Sequence, residues 1–230
     1  MPAEEANMVK TALIFAGGIP PRETTLKSVR ALADVQLVIA ADSGLHTAQQ
    51  LGMKVDVVIG DMDSVDSTAL DMAKSAGAKI VLHHRDKDLT DTHLALVYAR
   101  EHAAERIVVV TAGGGRLDHQ LGLVAAMFDP LLRSSRVEAL WAQTHLYALQ
   151  GLTQCEFPAQ HGDVVGLQAF GGYATGISTT GLRWQLSNET LLAHSTRGVS
   201  NEVTATQVVI TVEAGQLLII HQEKEQTNES

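Results

Sequence analysis

Five short, nearly continuous runs of apolar residues, separated by helix-like stretches, constrain this chain more than any other feature. Residues 11–16, 35–41, 55–60, 79–83 and 106–111 read TALIFA, VQLVIAA, VDVVIG, KIVLH and RIVVVT. A strand with one wet face alternates apolar and polar residues. These runs hardly alternate, as expected of strands covered on both faces. Between them, residues 25–33, 44–51, 67–75 and 90–102 carry apolar side chains near i, i+3 and i+4, with Leu94, Val97 and Tyr98 as an example. Strand–helix alternation of this kind predicts a parallel sheet clothed by helices, an α/β domain.

The rhythm changes after about residue 140. Gly and Thr become frequent, and residues 163–170, 190–194, 207–212 and 216–221 read as short strands punctuated by Gly171, Gly172, Gly176, Gly181 and Gly198. This predicts a small antiparallel β domain, a sandwich or a barrel. The boundary is expected between Arg133 and Gly151, giving domains over residues 8–140 and 141–223, with a frayed polar tail over 224–230.

Composition removes several function classes. A chain of 230 residues with 45% hydrophobic content has enough apolar mass for one large domain or two small ones. No apolar run approaches the ~18 residues of a membrane helix. The start, Met1-Pro2-Ala3-Glu4-Glu5, is acidic and lacks the basic segment that opens a secretory signal. A single cysteine, Cys155, excludes an intrachain disulfide and a Cys-based zinc site, and points to the cytoplasm. A net charge of −9 disfavours nucleic acid and anionic membrane as partners. Twelve of the 13 Asp residues precede position 140. Short carboxylates gathered in one half suit a hard cation, although Asp also favours turns and caps.

In an open parallel sheet, ligands bind beyond the carboxyl ends of the strands. Here those five ends run into Gly17-Gly18, into Asp42-Ser43-Gly44, into Gly60-Asp61-Met62-Asp63-Ser64, into Asp86-Lys87-Asp88-Leu89-Thr90-Asp91, and into Gly113-Gly114-Gly115-Arg116-Leu117-Asp118-His119. Asp61 and Asp63, two apart in an extended segment, would face one side. Two such carboxylates repel, and Mg²⁺ relieves the repulsion while keeping positions open for phosphate oxygens. An Asx turn with a helix cap at Ser64 or Asp66 would also explain them. Thr90 suits an N-cap and Asp91 the first helical turn. Lys87 can hold a phosphate as a point charge. The glycines before Arg116 allow close approach of an anion, and Arg grips phosphate with two hydrogen bonds; Asp118 could serve only as a helix cap. No Walker A loop, dinucleotide fingerprint, zinc-protease motif or nucleophile elbow occurs.

Taken in order, Asp42-Ser43-Gly44, Gly60-Asp61-Met62-Asp63-Ser64, Lys87-Asp88-x-Thr90-Asp91 and Gly114-Gly115-Arg116-Leu117-Asp118-His119 resemble the thiamine diphosphokinase (thiamine pyrophosphokinase) family. Gly181-Leu182-Arg183-Trp184-Gln185-Leu186 and Ser200-Asn201-Glu202 continue the resemblance, which covers residues 11–220. It implies an N-terminal parallel-sheet α/β (Rossmann-like) domain, a C-terminal antiparallel β-sandwich, and a homodimer with active sites at the subunit interface. It implies transfer of diphosphate from Mg-ATP to the hydroxyl of thiamine, releasing AMP, with Mg²⁺ as cofactor and ATP as co-substrate. By the resemblance, Asp61, Asp63 and Asp91 would hold Mg²⁺, and Asp42 and Asp88 would complete the acidic cleft. Lys87 and Arg116 would face the phosphates, with Asp118 and His119 shaping that loop, and Gly17, Gly18 and Gly114 would let the nucleotide approach. Trp184, from the partner subunit, would stack on the thiamine rings, and Ser200 and Asn201 would enclose the pyrimidine. The competing reading of Trp184 is a core residue of the β domain. Met62 stands where the family usually has Phe, and Leu89 where an acid is frequent. Two alternatives stay open: another Mg²⁺-dependent transferase or phosphohydrolase, and a nonenzymatic thiamine- or nucleotide-binding protein.

Overall fold

The structure, a computed structural model, describes residues 10–224; the expected acidic start and residues 225–230 of the polar tail lie outside the described residues. The chain divides between Ala142 and Gln143.

The first unit is built on six parallel strands. β1 (Thr11–Phe15), β2 (Val35–Ala41), β3 (Val57–Gly60), β4 (Lys79–Leu82), β5 (Arg106–Thr111) and β6 (Arg136–Trp141) lie in the order β4-β3-β2-β1-β5-β6. Every neighbouring pair is parallel. β1, β3 and nearly all of β2 and β5 are buried, which is why their sequences do not alternate. β4 is the edge strand and the least buried. The intervening helices are α1 (Glu23–Arg30), α2 (Gly44–Gln50), α3 (Ser67–Ser75), α4 (Asp91–Glu101) and α5 (Leu117–Ala126).

Alternate residues of the strands serve opposite faces. Leu13, Phe15, Val38, Ala40, Val58, Val108, Val110 and Leu140 join Val29 of α1, Leu45 and Ala48 of α2, and Ala69 and Ala73 of α3 in one apolar cluster. The intervening residues Ala12, Ile14, Ile39, Ile107 and Val109 are equally buried, and α4 packs on β1, β2 and β3 with Ala95, Leu96 and Ala99 inward. The strand sequence reverses direction beside β1: β2 to β4 lie on one side, β5 and β6 on the other. Such a switch point opens a crevice at the carboxyl ends of the strands.

β6 departs from expectation. The sequence reading names five strands and none over residues 136–141, yet these residues form a sixth, largely buried strand containing Glu138. Glu138 is fully buried and accepts from Arg106 Nε (2.9 Å) and Nη2 (2.8 Å), and it pairs with Arg136.

The second unit is antiparallel. β7 (Thr144–Gln150), β8 (Thr153–Pro158), β9 (Val164–Thr180), β10 (Glu189–Leu192), β11 (Asn201–Glu202), β12 (Gln207–Val212) and β13 (Ala214–Gln222) make it up. β13 pairs with β7 and β9, and β12 with β8 and β9. β9 does not end at Phe170 as its glycines suggested. It runs for 17 residues, pairing with β13 from Val164 to Thr175 and with β12 through Ser178–Thr180. The register slips between Gly215 and Gln216, opposite Ala174 and Phe170, and Gly171 adopts φ 67° there. The glycines therefore bend this strand from one partner to the next, as bulges do. Tyr147, Phe157, Leu167, Ile177, Ile210 and Leu217, from five strands, meet in one core. Asp163 and His221 are buried beside it, with His221 Nε2 2.9 Å from Asp163 Oδ2.

Candidate active site

The carboxyl ends of β2 and β3 bring together the acids that the sequence singles out. Asp42 follows β2 with φ 49°, a left-handed conformation that Asp tolerates better than most residues. Asp61 follows β3. Met62 is also left-handed (φ 63°), and the Asp63 N–H donates to Asp61 Oδ1 (3.1 Å). Asp61 and Asp63 thus converge through an Asx turn and not through extended periodicity. The capping explanation holds one residue set further on, where Asp66 accepts from the Thr68 and Ala69 N–H groups at the start of α3. The turn and the cluster coexist.

Asp42, Asp61 and Asp63 each offer an oxygen within 4.8 Å of the others. Asp91 comes from the first turn of α4, whose N-cap is Thr90, as expected. It meets Asp42 across Gly60: a Cβ there would lie 3.3 Å from both Asp42 Cβ and Asp91 Cγ. Gly60 is thus favoured by its backbone (φ 152°), and a side chain there would also crowd both acids.

Electrostatically the cluster is unfinished. Asp42 Oδ2 accepts from Ser64 Oγ, but Asp42 Oδ1 and Asp91 Oδ1 are buried acceptors with no hydrogen bond. Lys87 Nζ approaches Asp91 Oδ1 to 3.0 Å as an ion pair, outside hydrogen-bond direction. Arg85 Nε lies 3.9 Å from Asp63 Oδ2. The N–H of Asp63 holds the Asp61 carboxyl below its ordinary range against the opposing effect of burial, with Lys87 and Arg85 assisting. Buried carboxylate oxygens that make no hydrogen bond, beside further carboxylates, are the donor set of a hard divalent cation, with the Lys87 ammonium beside Asp91 offsetting part of the charge. Mg²⁺ fits these residues. Arg85 was not singled out in the sequence; its position four residues before Leu89 carries no motif signal.

At the switch point, the loops after β1 and β5 approach each other. A Cβ on Gly114 would lie 2.7 Å from Ile19 Cδ1, and Gly113, Gly114 and Gly115 all adopt φ between 67° and 75°. Gly17 and Gly18 lie against Ser43, whose Oγ accepts from the Gly18 N–H at 3.4 Å. Arg116 is the N-cap residue of α5, and Asp118 lies in the first turn without capping it. The two side chains form a bidentate pair (3.1 and 2.6 Å). This pairing raises the Arg116 pKa and lowers that of Asp118. His119 and Asp88 are exposed.

In the second unit, Trp184 is 57% exposed, which removes the reading of a core residue. The Arg183 guanidinium lies 5.0 Å from its ring centroid. Ser200 is left-handed (φ 60°), and Asn201 is buried.

Two sequence models of one family match this chain: "Thiamin pyrophosphokinase, catalytic domain" over residues 29–139, and "Thiamin pyrophosphokinase, vitamin B1 binding domain" over residues 154–217. The chain belongs to the thiamine pyrophosphokinase family. Thiamine pyrophosphokinase 1 of Oryza sativa subsp. japonica is 29% identical over 167 residues, 69% of this chain and 62% of the relative. The chain thus spans about three fifths of the length of the plant family members it matches. The family member of Bacillus subtilis (strain 168) is 25% identical over 215 residues, 92% of this chain and 98% of the relative. A crystal structure of thiamine pyrophosphokinase from Bacillus subtilis superposes with a TM-score of 0.79 at 23% identity, covering 94% of this chain and 100% of that one. The enzyme from Candida albicans superposes with a TM-score of 0.76 at 12% identity, over 94% of this chain and 89% of that one. These likenesses establish a shared fold. No helix among the described residues is long and apolar enough to cross a membrane.

Proposed function

We propose that this chain transfers the diphosphate of ATP to the hydroxyl of thiamine, yielding thiamine diphosphate and AMP. The observation that carries the proposal is the unfinished carboxylate cluster at the β2 and β3 ends, in a chain matched by both the catalytic and the vitamin B1 binding models.

The first unit is read as a Rossmann-like nucleotide domain and the second as a β-sandwich that receives thiamine. The new bond joins the thiamine oxygen to the β-phosphorus of ATP. The bond from that phosphorus to the oxygen bridging to the α-phosphate breaks, the bridging oxygen leaves with AMP, and the hydroxyl proton is released. Little covalent work falls to the protein in such transfers; alignment and charge neutralisation dominate. Asp61 and Asp63, with Asp42 beside them and Asp91 across Gly60, would hold Mg²⁺, which when bound supplies positive charge to the phosphates. Lys87, paired with Asp91, and Arg116, preorganised by Asp118, would meet phosphate oxygens. The Gly17-Gly18 and Gly113–Gly115 loops would let the nucleotide lie close to the backbone. Asp42 and Asp88 add the negative potential that suits the thiazolium cation, and the Trp184 face offers cation–π attraction to it. We read the working assembly as a cytoplasmic homodimer in which Trp184 serves the partner's site.

The test is incubation with thiamine, ATP and MgCl₂, with products identified by mass spectrometry. Thiamine diphosphate and AMP, both absent with EDTA, are expected. Thiamine monophosphate with ADP would overturn diphosphate transfer. Thiamine binding without any product would favour a binding protein, and turnover that survives Trp184→Ala on other acceptors would favour a different Mg²⁺-dependent transferase.

A further inference from the structure

Trp184 is exposed, yet the peptide that carries it is held firmly. Leu182 pairs with Val203 in an antiparallel bridge, and the Arg183 N–H donates to the Glu202 carbonyl at 2.8 Å. The next contact of this short ladder is not backbone to backbone. The Asn201 carboxamide supplies it: Oδ1 accepts from the Trp184 N–H (3.1 Å) and Nδ2 donates to the Trp184 carbonyl (2.7 Å). A carboxamide carries the same donor and acceptor as a peptide group, so it closes the same kind of two-bond ring.

Local sequence explains how Asn201 reaches that place. A Cβ on Gly198 would lie 2.1 Å from the Leu167 carbonyl oxygen, so the segment before β11 lies flush on β9 only with glycine there. Ser200 then turns through the left-handed region, and Asn201 enters the ladder with Val165 while only 9% exposed. Beside it, Arg183 Nη1 lies 3.0 Å from Glu202 Oε2, which keeps the guanidinium on one side of the indole.

We infer that Asn201 is a positioning residue: it fixes the Trp184 platform through its peptide group and does not itself bind the pyrimidine. This inference rests on the reading of Trp184 as the surface on which thiamine stacks. Two of the hydrogen-bonding functions of the carboxamide are committed to Trp184 and the side chain is buried, so the sequence-based expectation of an Asn201–thiamine contact gives way to an indirect role.

A double-mutant cycle separates the two roles. Asn201→Ala, Asn201→Asp, Trp184→Ala and the Trp184→Ala/Asn201→Ala pair are assayed for the KM of thiamine and for kcat. Trp184 fluorescence anisotropy is measured in a Trp141→Phe background, which leaves Trp184 as the lone tryptophan. Asn201→Ala is expected to raise the KM about tenfold, as loss of two such hydrogen bonds implies, with kcat changed less than about twofold. It should add nothing in the Trp184→Ala background, and it should lower the anisotropy of Trp184. Asn201→Asp keeps the acceptor for the Trp184 N–H but turns its second oxygen on the Trp184 carbonyl, so it should also raise the KM and lower the anisotropy, and it carries the cycle if the alanine variant does not fold. Effects of Asn201 and Trp184 that multiply, or an anisotropy unchanged in both Asn201 variants, would overturn the inference. A KM unmoved by Trp184→Ala would instead overturn the stacking platform, while the anisotropy alone would still decide whether Asn201 holds Trp184.

Discussion

Asp42→Asn should stabilise the metal-free protein and sharply weaken its response to Mg²⁺. Asp42 shares a space of 4.8 Å with Asp61 and Asp63. At that separation two unit charges repel by about 0.9 kcal/mol in water-like surroundings and by about 3.5 kcal/mol at an effective dielectric of 20. Asp42 is partly exposed, so the lower figure weighs more, and salt screens it further. Two such repulsions relieved together come to about 2 kcal/mol. Asn suits the left-handed backbone of position 42 as well as Asp does, and its oxygen can still accept from Ser64. No compensating backbone cost is expected. For a chain of this size that gain raises Tm by about 4–8 °C. Differential scanning fluorimetry in EDTA should show the rise. Adding Mg²⁺ to about 100 times its Kd should lift the wild type by about 2.7 kcal/mol through mass action, and should lift the variant far less. A variant no more stable than wild type in EDTA, or one that responds equally to Mg²⁺, would refute the view that Asp42 belongs to a cation seat.

Three further outcomes follow from the packing. In Asp163, burial raises the pKa, but hydrogen bonds from the Gln160 and Lys224 N–H groups and from His221 outweigh it and leave the carboxyl below its ordinary value. The stability it lends is therefore complete above about pH 4 and fades as pH falls through the lower folded value; urea unfolding from pH 5 down to 2 should show a shallower acid loss in Asp163→Asn, and parallel losses would count against the assignment. Gly113→Ala would set a Cβ 2.1 Å from Trp141 Nε1 in a left-handed backbone, so a loss of about 2–4 kcal/mol and a shifted Trp141 emission are expected in denaturant titrations. Glu138→Ala leaves Arg106 and Arg136 facing each other without their shared carboxylate; because both arginines are partly exposed, about 2 kcal/mol is expected from thermal unfolding, less than for a wholly buried pair.

What the sequence revealed, and what it hid, has physical reasons. β1, β2, β3 and β5 were legible because burial on both faces leaves an uninterrupted apolar run, and Thr90 was legible because capping is local chemistry. β6 was hidden by Glu138, a buried charge made tolerable inside a sheet by Arg106 of the neighbouring strand, 32 residues away, and by Arg136 two residues earlier on the same strand. The length of β9 was hidden by Gly171, Gly172 and Gly176, which end most strands but here bend one. Asp61 and Asp63 were legible as a pair, whereas the turn that joins them depends on a left-handed Met62 that no propensity announces. The Asn201–Trp184 contact spans 17 positions and uses a side chain in place of a peptide, so no periodic signal accompanies it.

The position of β1 in its sheet bears on how the chain emerges from the ribosome. β1 precedes the other described strands of its unit in the chain, yet it lies at the centre of their order, and its second neighbour pairs Thr11 with Arg106. Until residue 111 has been synthesised, β1 keeps one raw edge and the sheet holds only β1 to β4. Such late, long-range pairing slows folding and leaves a sticky intermediate. Nascent chains stalled before β5 should therefore remain protease-sensitive and chaperone-bound, and a compact first unit should appear only once β5 and β6 have cleared the exit tunnel.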